Sequence, residues 1–456
     1  MCQKVLILLS ILLLNSKLVY GQEISCQFFN NANNGYTCFL SMTNPNGLNN
    51  FARIVGTHLP GMTNDDVVTV FEAPFSSSSN IPSIICETFR NTNRIQLLSM
   101  RIQKIHDYSV RGCRALTHLN VYGNNITEVD ENSFVENTEL QNLELWFNEL
   151  STLPVNVFKS QQKLKRLRLD FNRITDLPDN IFDPLLSLTF LQLEGNLIVN
   201  LRSRWFENFN RLEALWLANN RIAALSTNIF HPLTSLTTLG LTRNKLSSLL
   251  TVTFERFINL QDLFLDSNEI ADLPPNFFNP MINLKHVDLA FNTISNLRTE
   301  WFRALPGLLG LGLNHNLFLN PISGIFDSLN SLISLELSGN KIDALPPNIF
   351  SSLSELQMLR LDENNLNIIH SHWFGVLPKF TTFSIVSNQI NAVDEKFIDN
   401  TAVQMMDMRN NVCADFNVVD WSPTRQMLRR NLEHCFANFE ILYPGSVSEH
   451  SDQQSA

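Results

Sequence analysis

Leucine, isoleucine and valine recur along most of the chain in one fixed phase. An asparagine stands at 124, 148, 172, 196, 220, 244, 268, 292, 316, 340, 364 and 388, each step 24 residues, with one more at 411 after a step of 23. Aligned on this asparagine, the units read LxxLxLxxNxL, as in Leu164, Leu167, Leu169, Asn172 and Ile174, or Leu332, Leu335, Leu337, Asn340 and Ile342. The LxL stretch alternates with period two and predicts one short strand per unit, its leucines on one face. Phenylalanine recurs ten residues past the asparagine, from Phe134 to Phe374, and closes at Phe397. A divergent unit precedes the series (Ile95, Leu98, Met100, Gln103, Ile105) and another ends it (Val403, Met406, Met408, Asn411).

No such unit buries its apolar faces alone, so stability must come from stacking, and both ends need caps. The predicted fold is an α/β solenoid: a leucine-rich repeat horseshoe with a parallel concave sheet and disulfide-stapled caps. Residues 95–412 hold about 14 coils, 22–94 an N-terminal cap with the divergent repeat, and 413–445 a C-terminal cap. The asparagine amides pair with neighbouring coils as a buried ladder, and the phenylalanines pack under the opposite wall. A longer period overlies this one. Leu177-Pro178 followed by Trp205-Phe206 returns as Leu273-Pro274 with Trp301-Phe302, then as Leu345-Pro346 with Trp373-Phe374. It reads as duplication of multi-repeat blocks, with the tryptophans as wall packing.

The outward positions lie six, four, two and one residues before each asparagine. They carry Tyr122, Trp146, Phe190, Trp216 and Phe264, with Arg166 and Arg168 between them. Large aromatics flanked by arginine suit a binding hot spot; the competing reading is that they cover one another. Phe147, Phe171 and Phe291 fall one before the asparagine and read as strand-edge packing. Gly240 stands between Trp216 and Phe264, so the two rings either flank a slot about 9–10 Å wide or fold over the glycine. Asp262, Asp266 and Asp288 gather near His286 on adjacent coils. With Glu336, Asp362 and Glu363 they make the later face acidic and suited to a basic partner.

Composition narrows the function. Of 33 phenylalanines, 12 belong to the repeated column, which explains their excess over 5 tyrosines and 6 tryptophans. A net charge of −10 argues against nucleic acid as a partner. Val5 to Leu14 is apolar behind a short basic start, and small residues end at Gly21, so residues 1–21 read as a secretory signal peptide. A run of ten residues is too short to span a bilayer, so no membrane span is expected; residues 446–456 read as a disordered tail. Past the signal, Cys26, Cys38, Cys86, Cys113, Cys413 and Cys435 remain, all outside 114–412. An even number in an oxidising compartment suggests three disulfides, and proximity favours pairing each cysteine with its neighbour among the 15 possibilities. The sequon Asn125-Ile126-Thr127 is a candidate glycosylation site. There is no nucleophile elbow, HExxH or phosphate loop, so catalytic residues, cofactor and metal are all predicted absent.

The 24-residue pattern resembles the typical leucine-rich repeat of secreted arthropod proteins. Further features of the resemblance are Cys26 and Cys38, Asn44-Pro45-Asn46-Gly47, Ile81-Pro82-Ser83-Ile84-Ile85-Cys86, and Arg409-Asn410-Asn411-Val412-Cys413 with Cys435. The chain is similar in part to mosquito leucine-rich immune proteins and to Toll-type ectodomains. It departs from the first in having no heptads after Cys435, and from the second in lacking a membrane span and signalling domain. The resemblance implies extracellular recognition of a protein or glycan, leaning to innate immunity. A matrix or cell-adhesion role in development is the alternative, and the oligomeric state is left open.

Overall fold

The computed structural model describes residues 22–31, 35–41, 51–72, 78–418 and 425–444. The predicted signal peptide and tail lie outside them. The chain forms two compact units: one runs to Ile198 and includes Arg204–Arg211, the other comprises Val199–Ser203 and everything from Leu212.

The first unit opens with β1 (Gln22–Asn31) and β2 (Gly35–Ser41), an antiparallel hairpin stapled by Cys26–Cys38. β3 (Phe51–Val55) runs parallel to β1, and β4 (Thr69–Glu72) parallel to β2. The first repeat strand, β5 (Arg94–Gln96), lies against β4, so the cap contributes strands to the repeat sheet as well as covering its end. Parallel three-residue strands follow at His118–Asn120, Asn142–Glu144, Arg166–Arg168 and Phe190–Gln192. Their central residues Ile95, Leu119, Leu143, Leu167 and Leu191 lie in one row.

The second unit repeats this geometry from Ala214–Trp216 through Thr382–Ser384 to Met405–Asp407. The step of 23 before Asn411 leaves Phe383 paired with Met406, so the row survives the shortened coil. Each unit is a stack of parallel-strand coils, about 14 in all among the described residues. An antiparallel segment, Asn417–Val418, closes the last strand. Beyond it the C-terminal helix (Arg425–Leu442) buries Leu428, Leu432, Cys435 and Phe439, a stripe at helical spacing, and packs over Ala392–Val393. Disulfides Cys86–Cys113 and Cys413–Cys435 complete the pairing between sequence neighbours. Closing loops of 12 to 27 residues, each staple contributes about 3 kcal/mol by restricting the unfolded chain.

The asparagine ladder holds the coils together. The Asn172 amide donates to Leu145 O and Leu169 O at 3.0 Å, while its Oδ1 accepts the Leu150 N–H at 3.0 Å. One side chain thereby satisfies three buried backbone groups, each of which would cost 1–3 kcal/mol unpaired. Asn340 is an exception, its Oδ1 buried with no partner beside the irregular turn Leu317–Pro321. The residue before the ladder asparagine turns the chain out of the strand in a left-handed conformation, at Phe147, Phe171, Asn219, Arg243, Ser267, Phe291 and His315 among others, and at Gly195 and Gly339. Non-glycine residues there cost about 1 kcal/mol each, offset by inter-coil bonds such as Phe147 N–H to Asp170 O at 3.0 Å.

The wall tryptophans have a specific tie. Trp205 Nε1 donates to Leu177 O and Trp301 Nε1 to Leu273 O, both at 3.3 Å. At these two places the indole caps a carbonyl that precedes a proline in the coil before it; Trp373, one coil after Leu345-Pro346, is buried in the wall as well, whereas the Leu153-Pro154 coil is followed by Ile181-Phe182.

Candidate functional site: the outward face of the repeat sheet

On the first unit the outward side chains form a continuous stack. Tyr122 lies on Trp146 with ring centroids 4.0 Å apart and 19° between planes. From the next coil the Arg168 guanidinium sits 3.8 Å from the Trp146 ring centre. Arg168 is fixed in turn by two hydrogen bonds to Asp170, at 3.1 and 2.9 Å, whose carboxylate is fully buried. Arg166 lies 3.6 Å over the Phe190 ring; burial, then the charge of Arg168, lower its pKa. Trp146 is thus held between its neighbours, its Nε1 buried without a partner.

The aromatics open to solvent are the ones the sequence pattern assigns to edge packing. Phe147 and Phe171 stack at 4.5 Å and 17° yet remain 47% and 37% exposed. Phe291 stacks on His315 at 4.3 Å and is 52% exposed. They project because the left-handed turn aims their side chains outward.

On the second unit Trp216 and Phe264 do not flank a slot. Their rings stack at 5.7 Å and 19°, and a Cβ on Gly240 would lie 2.5 Å from Trp216 Cε3. The glycine receives the indole, which decides between the two readings in favour of the ring folded over it. The same device recurs 24 residues on from Phe171 at Gly195, from His286 at Gly310, from Asp288 at Gly312 and from His315 at Gly339. Bulky outward residues lean toward the following coil, and a glycine there is their landing. A large residue followed 24 positions later by glycine is the sequence signal for it.

The acidic residues of this face are tied into local hydrogen bonds. His286 Nδ1 is 2.7 Å from Asp262, which also accepts from Thr238 at 3.3 Å. Asp266 accepts from Thr242 at 2.6 Å. Asp288 accepts the Ala290 N–H at 2.9 Å, and burial raises its pKa against that bond. Burial also raises Glu336, despite Arg360 at 3.5 Å. The face ends in a depression of about 390 Å³ lined by Arg360, Asp362, Ser384, Met405, Asp407 and Arg409. Among the described residues no three His, Cys, Asp or Glu side chains are grouped to hold a metal ion. The candidate glycosylation residue, Asn125, is exposed and donates to Glu149 at 3.0 Å.

The leucine-rich repeat family model matches residues 90–145, 138–198, 191–246, 258–318 and 323–366, more than half of the chain. The chain belongs to the leucine-rich repeat family. Its coils superpose on a leucine-rich repeat protein of Leptospira interrogans with TM-score 0.70 and 24% identity, over 81% of this chain and 89% of that one. The Toll chain of the Drosophila Toll–Spätzle complex matches with TM-score 0.65 and 19% identity, over 80% of this chain and 51% of that one. The APL1 leucine-rich repeat domain matches with TM-score 0.55 and 17% identity, over 83% of this chain and 91% of that one. At these identities the likeness is one of fold. No curated protein matches by sequence. Among the described residues of this leucine-rich repeat protein, no helix is long and apolar enough to cross a membrane.

Proposed function

We propose that the protein is a secreted, non-catalytic recognition scaffold that binds an extracellular protein or glycan through the outward face of its repeat sheet, in innate immune recognition. The observation that carries this is the ridge of Tyr122, Trp146, Phe147, Phe171 and Arg168. It places exposed rings and a fixed guanidinium on a face where coil stacking requires neither. Clustered aromatics beside arginine supply most of the energy in protein interfaces. The three disulfides fit an oxidising compartment. The immune lean draws on the likeness to the Toll–Spätzle complex, a molecular hub in Drosophila development and innate immunity. A matrix or adhesion role is the second reading, supported by the likeness to FLRT2 in its complex with Latrophilin 3 and Unc5D, at TM-score 0.51 and 24% identity.

The test is affinity capture from native extracellular fluid with the wild type, a Trp146→Ala/Trp216→Ala variant and a Phe147→Ala/Phe171→Ala variant. A partner retained by the wild type and lost at least about tenfold by one of the variants supports the face, since each hot-spot ring contributes about 2 kcal/mol. Its identity separates immunity from matrix. Equal capture by all three overturns the outward-face assignment.

A further inference from the structure

The C-terminal helix reaches back past the last coil and ends against two histidines. His370 and His372 have ring centroids 3.5 Å apart. The His370 ring meets Phe439 edge-on at 5.3 Å and lies 6.3 Å from Tyr443, and these two helix-end rings stack on each other at 5.1 Å. Phe439 is buried, closing the stripe that docks the helix. His370 Nδ1 is buried with no hydrogen-bond partner. The nearest carboxylate, Asp394, is 3.5 Å away and already accepts from the Ser371 hydroxyl and from the backbone N–H groups of Ser371 and Lys396.

We infer that this contact is an acid-sensitive latch: protonation of His370 loosens the end of the C-terminal helix beyond Cys435, uncovering Phe439. The groups facing His370 are His372 on its own coil, Asp394 on the next coil and Tyr443 immediately after the helix. A second positive imidazole beside the first is opposed by Coulomb repulsion, and a charged ring against Phe439 loses its hydration. Burial, then His372, hold the His370 pKa at about 4, with Asp394 pulling less strongly the other way. Undocking removes the burial imposed by the helix end and lets the His370 pKa rise toward the ordinary 6.5, with His372 still opposing it, so the undocked state binds protons first. Docking is therefore at full strength above pH 6.5 and weakens as the pH falls toward 4. At pH 5 the expected weakening is up to about 30-fold, the ratio of the two protonation polynomials. The Cys413–Cys435 disulfide confines the movement to the segment that follows it.

Hydrogen exchange on the intact protein tests the latch, with protection factors for residues 436–443 compared at pH 7.5 and pH 5.0. The expected result is a fall of up to about 30-fold at the lower pH, with the repeat strands unchanged. His370→Phe, which keeps a ring against Phe439 but cannot be protonated, should remove the pH dependence. Equal protection of the wild type at both pH values, or the same loss in the variant, overturns the proposal. If His370→Phe does not fold, NMR titration of the wild-type imidazole decides: a pKa near 4 supports the latch, and one near 6.5 overturns it.

Discussion

Two stretches of the outward face, around Trp146 on the first unit and around Trp216 on the second, solve one problem in opposite ways. A large side chain on a three-residue strand has neighbours on the coils to either side, and it must either share its surface with them or displace them. On the first unit it shares: Tyr122, Trp146 and Arg168 stack in sequence, with buried Asp170 anchoring the end. On the second unit the neighbour is removed, and Trp216 lies down on bare backbone at Gly240. Stacking leaves a raised ridge of rings and cation, while the glycine landing leaves a flatter surface on which carboxylates dominate. Under the function proposed above, we expect the first to take an apolar anchor from a partner and the second a basic one.

Removing the anchor of the ridge should have the largest effect. Asp170→Ala leaves the nearly buried Arg168 without its partner and should lower stability by about 3 kcal/mol, read by urea unfolding. Asp266→Ala on the second unit, where a more accessible carboxylate accepts from Thr242, should cost under about 1 kcal/mol. Similar losses in both would erase the contrast.

Gly240→Ala attacks the other solution. Its Cβ would meet Trp216 at 2.5 Å, and overpacking of this kind costs about 1–3 kcal/mol. Because the indole can move outward, the lower half of that range is expected, with a red shift in tryptophan emission. Unchanged emission would mean that the ring does not rest on the glycine.

Arg166→Ala should cost about 0.5–1 kcal/mol, the value of a partly exposed cation–π contact over Phe190. A double cycle with Phe190→Ala isolates it. Asp288→Asn should have the smallest effect and the opposite sign. Burial raises this carboxyl's pKa, so its ionised form opposes folding at neutral pH, and the opposition disappears as pH falls through the folded value and on below the ordinary 3.8. The amide should therefore stabilise the protein by a few tenths of a kcal/mol at pH 7, with no gain near pH 3. A loss at pH 7 would show that a cation already compensates Asp288.

Much of the fold was legible because period 24 acts on every coil alike. Ile95, Leu119 and Leu143 fall in one row, and the Asn172 ladder and the Phe134 column follow from the same phase. Cysteine pairing was legible because each pair closes a short local loop at an end of the chain. The outward face was less so. Periodicity says that Trp146 and Trp216 face outward, but their coverage depends on the residue one coil on, Arg168 in one case and Gly240 in the other. The exposure of Phe147 and Phe171 depends on a left-handed turn that a pattern of hydrophobic positions does not encode. The antiparallel hairpin of the N-terminal cap has no repeat to announce it, and the histidine contact at the C-terminal helix joins residues about seventy positions apart.

The bonds from Trp205 and Trp301 to a leucine carbonyl in the preceding coil bear on how such a chain can grow. A ladder of interchangeable asparagines would tolerate the gain or loss of any single coil. Trp205 and Trp301 are not interchangeable in that sense, because each needs the Leu-Pro corner one coil earlier. Excising one coil from such a pair leaves an indole N–H buried without an acceptor, or a corner without its cover. At these two places the two coils are bound to change together, and a gain or loss of coils that leaves the wall intact falls outside the couplet rather than within it.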